Sequence, residues 1–182
     1  MLQLKIPLLR LFNEKTEEFL TIKPFQLHLE HSLFAIKEWE AITHKPFFKD
    51  GKTNEDLALY IKCMTLNIEE VPEEFFDINV IPKFVLYSVN NYINNPRTAT
   101  TFKEEKRGIR KGSFVTSELL YYQMISAGIP MEFQYRHINE LKTLLRVFSE
   151  KSKTPRKMTR EEERAQRQAL NRSRRAKTGS KG

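Results

Sequence analysis

Cysteine, glycine and long apolar runs are scarce in this chain, and each scarcity excludes a class of protein. The single cysteine, Cys63, excludes an internal disulfide framework and fits a reducing compartment. None of the six glycines falls at the spacing of a nucleotide-binding loop. No apolar run approaches the ~18 residues that a membrane-spanning helix needs, and residues 1–10 lack the features of a secretory signal. The sequence therefore predicts a cytoplasmic protein that is neither exported nor inserted in a membrane.

Positive charge is plentiful, but it is concentrated at one end. The 182 residues include 31 Lys and Arg against 23 Asp and Glu, a formal net charge of +8. Residues 151–182 hold twelve of those cations and only three of the acids, so residues 1–150 are almost neutral. Large apolar residues are abundant only in the neutral part. We predict a folded domain over residues 1–150 and a basic C-terminal arm over residues 151–182 that is partly helical or disordered.

The period of the apolar residues changes along the neutral part. Apolar and polar residues alternate over residues 2–6 and 25–29, and residues 19–22 can run back as a strand after a polar turn at residues 13–16. From Ser32 onward the apolar residues recur at helical spacing. The pattern predicts an α+β fold, mostly α. A short N-terminal antiparallel sheet of about three strands packs on a bundle of about five helices, followed by the basic arm.

Several local signals mark where helices begin and end. Ser32 can cap the first helix, and Thr53 with Asp56 forms a capping box for the second. The segment Ala127–Pro130 is a strong stop signal, with a glycine suited to the left-handed residue past a helix end. The helix that follows Thr116 is apolar on two sides, which predicts a position at the centre of the core.

Residues with catalytic or metal-binding chemistry do not form a recognisable set. His28 and His31 stand three apart on a strand that leads into a helix cap, and no further ligand pair completes a metal site. Cys63 with His44 or His137 lacks any local motif of a nucleophile and its base, and a buried free cysteine usually packs as a small apolar side chain. We expect no catalytic residue, no metal and no cofactor, and hence a protein that is not an enzyme.

The aromatic excess and the arm supply the candidate contact residues. Aromatic side chains at helical spacing can form a hydrophobic groove for a partner helix, or the core that supports one. The candidates for this groove or its core are Trp39, Tyr60, Tyr122 and Phe148. The candidates for contacts made by the arm are Arg164, Arg167, Arg172, Arg174 and Arg175. The charge of the arm also permits binding to nucleic acid, although the arm has no aromatic residue for stacking on bases.

Six segments of the chain are distinctive when taken in their order. They are Leu27 to Phe47 (LHLEHSLFAIKEWEAITHKPF), Tyr60 to Met64 (YIKCM), Ile93 to Phe102 (INNPRTATTF), Val115 to Pro130 (VTSELLYYQMISAGIP), His137 to Val147 (HINELKTLLRV) and Ala165 to Gly182 (AQRQALNRSRRAKTGSKG). Together they resemble a family of small proteins of tailed bacteriophages, the tail assembly chaperones. The resemblance extends from about the second strand to the C-terminus, but no segment is a catalytic fingerprint.

The resemblance implies a non-enzymatic protein of the host cell cytoplasm. Such a protein binds the long helical tape measure protein and keeps it soluble while tail tube subunits gather round it. The arm would then steer encounters with acidic surfaces on the assembling subunits. The alternative is a structural virion protein or a nucleic-acid-associated protein that uses its Arg- and Lys-rich arm. No membrane partner is expected, and an oligomer is left open.

Overall fold

The protein has an α+β fold that is mostly helical, as the sequence predicts. Its chain contacts define two compact units, Met1–Phe148 and Ser149–Gly182, where the sequence placed the boundary at residues 150 and 151. The computed structural model describes residues 1–13, 18–102, 115–152 and 160–178.

Four short strands open the chain. They are β1 (Leu2–Ile6), β2 (Leu9–Asn13), β3 (Glu18–Ile22) and β4 (Phe25–Leu29). β1 pairs with β4 and β2 with β3, both antiparallel, so the strands form two two-stranded ladders where about three strands in one sheet were predicted. The predicted hairpin between β2 and β3 is confirmed, while residues 14–16 of its predicted turn lie outside the described residues.

The two ladders share one register, which makes them parts of a single long hairpin. Leu2 pairs with Leu29 at one end and Leu9 with Ile22 beyond the break, and the same count places Pro7 opposite Pro24. Proline has no backbone N–H to donate to a ladder. Two prolines facing each other therefore interrupt the pairing and divide the hairpin in two.

Six α-helices and three 3₁₀ turns follow the strands in the described part of the chain. The α-helices are α1 (Leu33–Thr43), α2 (Asn54–Met64), α3 (Lys83–Asn94), α4 (Ser117–Ser126), α5 (Ile138–Ser152) and α6 (Arg160–Thr178). The 3₁₀ turns are Ile68–Glu70, Glu73–Phe76 and Met131–Tyr135. None of the helices in the described residues is long and apolar enough to cross a membrane.

The predicted caps are present. The Ser32 hydroxyl accepts a hydrogen bond from the Ala35 amide at 3.1 Å, which begins α1. Thr53 and Asp56 exchange the two bonds of a capping box at the start of α2. After α4, Gly128 takes the left-handed conformation, with φ 66°, that ends the helix. These local signals are confirmed because each depends on residues only a few positions apart.

The core is built around α1. Leu27 and Leu29 of β4 point inward and are fully buried, and so are Leu33, Ile36 and Trp39 on one face of α1. α2 and α4 pack against α1, and β1 packs against α3. Burial of large aliphatic side chains at roughly 25 cal/mol per Å² is the main stabilising contribution in such an arrangement.

The prediction that α4 lies at the centre of the core is wrong. Its buried residues are Ser117, Leu120 and Met124, which occupy one side only. Tyr122 and Ile125 are 68% and 64% exposed on the other side. Because α1 covers only one face of α4, an apolar surface remains uncovered on the outside of the domain.

Candidate binding groove

A groove of about 870 Å³ lies between α1 and α4. One wall comes from the second half of α1 and from residues 44–46, which follow it. The other wall comes from the beginning of α4 and from the 3₁₀ turn Met131–Tyr135. The volume falls in the range of about 300–1,000 Å³ that is typical of sites for small molecules or for a few anchoring side chains.

The shape of the groove follows from residue size and spacing. Lys37, Ala41 and His44 stand four and three residues apart, so they share one face along α1. Ala41 has the smallest side chain of the three, which leaves a hollow at the middle of that face. His44 ends α1 in the left-handed conformation, with φ 54°, and turns the chain so that Pro46 closes one end of the wall.

Apolar atoms make up most of the groove surface, although most of the lining residues are polar or charged. Ala41 and Pro46 on one wall and Tyr121 and Met131 on the other supply the apolar part, whereas the two almost fully buried lining residues, Glu40 and Ser117, are polar. The Tyr121 hydroxyl donates a hydrogen bond of 2.8 Å to the Gln134 side chain, which fixes the ring in the wall. Lys37 and Glu118 are among the lining residues and carry charges of opposite sign. A mixture of apolar and polar surface is usual at protein interfaces that are not obligate.

Glu40 holds the two walls together. Its carboxylate accepts a hydrogen bond of 2.7 Å from the Phe47 amide, in the turn that follows α1, and another of 2.7 Å from the Ser117 amide at the start of α4. The carboxylate also lies at the positive end of the α4 macrodipole. Sequence reasoning missed this residue, although an acid that shares the apolar face of α1 with Leu33 and Ile36 was a usable signal.

An uncovered apolar face of α4 adjoins the groove. Leu119, Tyr122 and Ile125 are exposed along the helix. Ile125 stands four residues after Tyr121 of the groove wall and so lies beside it, while Glu118 lies between Ile125 and Tyr122 round the helix. The apolar surface therefore continues from Tyr121 through Ile125 onto the outside of α4. Exposed apolar patches of this kind mark interaction sites.

The four aromatic candidates divide between interior and surface. Trp39 and Tyr60 are each 1% exposed, so they belong to the core and not to a surface groove. The Trp39 indole N–H donates to the Asp56 carbonyl at 2.9 Å and ties α1 to α2. Tyr122 is exposed on α4, and Phe148 is exposed on α5 away from the groove lining. The groove is instead lined by Ala41, Tyr121 and Met131, which sequence reasoning did not select.

The residues considered for catalysis or metal binding lie apart from the groove, except His44. Burial raises the pKa of the Cys63 thiol to about 11, so this cysteine is not an activated nucleophile at neutral pH. His31 and His137 are buried in the core with their rings 5.1 Å apart, whereas His28 of β4 is only partly buried and its ring lies beside the Gln26 side chain. Within the described residues, no three His, Cys, Asp and Glu side chains are grouped so as to hold a metal ion.

The arm candidates all lie on α6. Arg164, Arg167, Arg172, Arg174 and Arg175 have exposed side chains. The sequence predicted an arm that is partly helical or disordered, and its described part contains α6, which runs from Arg160 to Thr178.

Comparison with models of protein families, with curated proteins and with solved structures finds no match to this chain. The candidate function therefore depends on the geometry of the groove and on the family resemblance of the sequence.

Proposed function

We propose that this protein is a non-enzymatic tail assembly chaperone of a tailed bacteriophage. In this proposal the groove between α1 and α4 holds apolar side chains of the tape measure protein while tail tube subunits gather round it. The observation that carries the proposal is the apolar groove and its continuation onto the exposed face of α4. An apolar surface of this kind suits a protein that binds its client without a chemical reaction.

A long helical client matches this surface in size and pattern. An amphipathic helix presents anchors at positions i, i+3, i+4 and i+7 along one face. The groove accommodates one or two such anchors, and Leu119, Tyr122 and Ile125 can cover the next ones along the client helix. Lys37 and Glu118, which also line the groove, can meet polar side chains that flank the apolar stripe of the client.

A chaperone must also release its client. The groove is open and is bordered by exposed residues, so the interface that it can form is modest. Modest interfaces are typical of transient complexes. Tail tube subunits that cover the same apolar stripe of the client can therefore displace the chaperone.

Substitution of Ala41 by glutamate tests the groove. Ala41 is exposed on α1 and glutamate is a good helix former, so A41E is expected to fold. The carboxylate would stand on the groove surface, and covering it with apolar side chains of the client would weaken client binding by at least about 2 kcal/mol, which is roughly 30-fold in Kd. The measurement is the soluble yield of the tape measure protein of the same phage when it is co-expressed with each variant.

Ile42→Glu is the matched control. Ile42 is the next residue of the same helix, is 58% exposed and lies outside the groove lining. I42E is expected to keep the client as soluble as the unmodified chain does. A41E is expected to lower the soluble yield of the client to that of the client expressed alone. Equal yields with A41E and I42E would exclude the groove as the binding site. A client that is equally soluble without this protein would exclude the chaperone function itself.

A further inference from the structure

The arginines of α6 are concentrated on one side of the helix. Arg160, Arg164, Arg167, Arg174 and Arg175 are separated by four, three, seven and one residues. At 100° per residue these positions fall within an arc of about 100°, and at 1.5 Å per residue they extend over about 22 Å. We call this surface the arginine face.

The arginine face is exposed and is almost free of acidic residues. All five arginine side chains are exposed. Glu161 and Glu163 lie outside the arc at its two borders, and the sequence has no acidic residue from position 164 onward. Five guanidinium groups therefore create a strip of positive potential along most of the helix.

The composition of α6 distinguishes between possible anionic partners. Leu170 is the only large apolar residue in this helix and lies outside the arc, so the face lacks the apolar or aromatic anchors that form the centre of a protein interface. The helix has no aromatic residue on which unpaired bases could stack. Interfaces with duplex nucleic acid are more strongly positive than those between proteins, and guanidinium groups bind phosphates in a bidentate manner.

We propose that α6 binds the phosphate backbone of duplex nucleic acid through the arginine face. The major groove of B-form DNA, about 12 Å wide, admits an α-helix. From a helix seated there, an arc of about 100° of long side chains reaches the phosphates that border the groove. The proposal stands independently of client binding, because it concerns only the second compact unit.

The salt dependence of binding tests this proposal. The full chain is titrated against a fluorescent duplex DNA of twenty base pairs between 50 and 200 mM NaCl. Five phosphate contacts predict a slope of about −4.5 in log affinity against log salt, a loss of about 500-fold across that range. The R167Q variant loses one contact, so its slope falls to about −3.6 and its loss to about 150-fold. Replacing all five arginines of the face by glutamine is expected to leave only the weak, salt-dependent attraction of the remaining cations, such as Arg172 and Lys177.

Arg172→Gln is the matched control. Arg172 carries the same charge on the same helix and lies about 60° beyond the edge of the arc, so R172Q is expected to retain the original slope. Far-UV circular dichroism checks that each variant keeps its helix content. Equal effects of R167Q and R172Q would overturn the proposal, since diffuse attraction would then explain the binding. Poly-L-glutamate that binds as tightly as the duplex, with the same loss in the five-fold variant, would overturn it in favour of an acidic protein partner.

Discussion

Replacing Glu40 by alanine is expected to lower the free energy of unfolding by about 3 to 5 kcal/mol. The carboxylate is the acceptor for the buried amides of Phe47 and Ser117, and each buried donor without a partner costs about 1 to 3 kcal/mol. The Ser117 amide lies at the start of α4, so loss of its hydrogen bond to Glu40 also frees α4 from the end of α1. Urea unfolding monitored by tryptophan fluorescence measures the change.

Two comparisons establish that the effect comes from these hydrogen bonds. Glu38 lies on the same helix, and its carboxylate pairs with Lys37 at the surface. Glu38→Ala should therefore change the free energy of unfolding by less than about 0.5 kcal/mol. Hydrogen exchange at the Ser117 amide should accelerate in E40A and stay slow in E38A. If E40A is no less stable than E38A, the carboxylate does not hold the walls together.

Lowering the pH from 7 to 4.5 is expected to destabilise the protein by roughly 2 to 3 kcal/mol through one buried histidine alone. His31 Nδ1 lies at hydrogen-bond distance from the Tyr60 hydroxyl, in the core beside His137. His137 Nε2 lies 3.1 Å from the Tyr92 carbonyl, and its Nδ1 accepts from the Asn139 amide. This arrangement defines a neutral His137 with its proton on Nε2.

The pKa values of both histidines are shifted in the direction that makes acid destabilising. Burial, with His137 and Lys142 nearby, lowers the pKa of His31 from 6.5 to about 3, and burial also lowers that of His137. Below pH 6.5 the unfolded chain binds a proton at His31 that the folded chain does not bind until about pH 3. The unfolded state is therefore favoured progressively as the pH falls between these values.

Variants at two histidines separate this effect from general acid denaturation. His31→Gln removes the buried titrating group, so the H31Q protein should be less stable at pH 7 but should lose less stability on acidification. His28→Gln changes a partly exposed histidine and should preserve the original pH dependence. Urea midpoints at pH 7, 5.5 and 4.5 give the comparison. An unchanged pH dependence in H31Q would contradict the assignment to His31.

The loss of stability expected from His31 can be distinguished from the effect of protonating Asp56, because the two occur in different pH ranges. Asp56 has its pKa lowered from 3.8, first by the hydrogen bond from the Thr53 amide and then by Lys45. Its contribution to stability is present above pH 3.8 and is lost only as the pH falls below that value. The pKa of Glu118 is also lowered, from 4.5, first by a backbone hydrogen bond, so its contribution to stability is lost mainly below pH 4.5. The loss expected between pH 7 and 5 therefore comes chiefly from buried histidine.

The sequence predicted the features that depend on neighbouring residues. Ser32, the Thr53–Asp56 capping box and the stop at Gly128 all appear where they were expected, because a cap needs only a side chain and an amide a few residues away. The hairpin was also predictable from its alternation. Its division into two ladders was not, because that division requires the register that places Pro7 opposite Pro24.

The residues of the groove could not be predicted from the sequence in the same way. The aromatic candidates for a groove or its supporting core included Trp39 and Tyr60, which are buried, and Tyr122, which is exposed on α4. Sequence spacing cannot distinguish an apolar face that meets the core from one that meets water. The groove residues Ala41, Tyr121 and Met131 carry no distinctive pattern, and only the tertiary structure brings them together.

By itself, the sequence determined an electrically balanced body, a basic arm with a one-sided set of arginines, and the order of strands and helices. These properties depend on composition and on spacing along the chain. The tertiary structure alone decided which face of α4 remains uncovered and which residues enclose the groove. The reason is that burial depends on contacts between residues far apart in sequence, such as the bond from the Ser117 amide to Glu40.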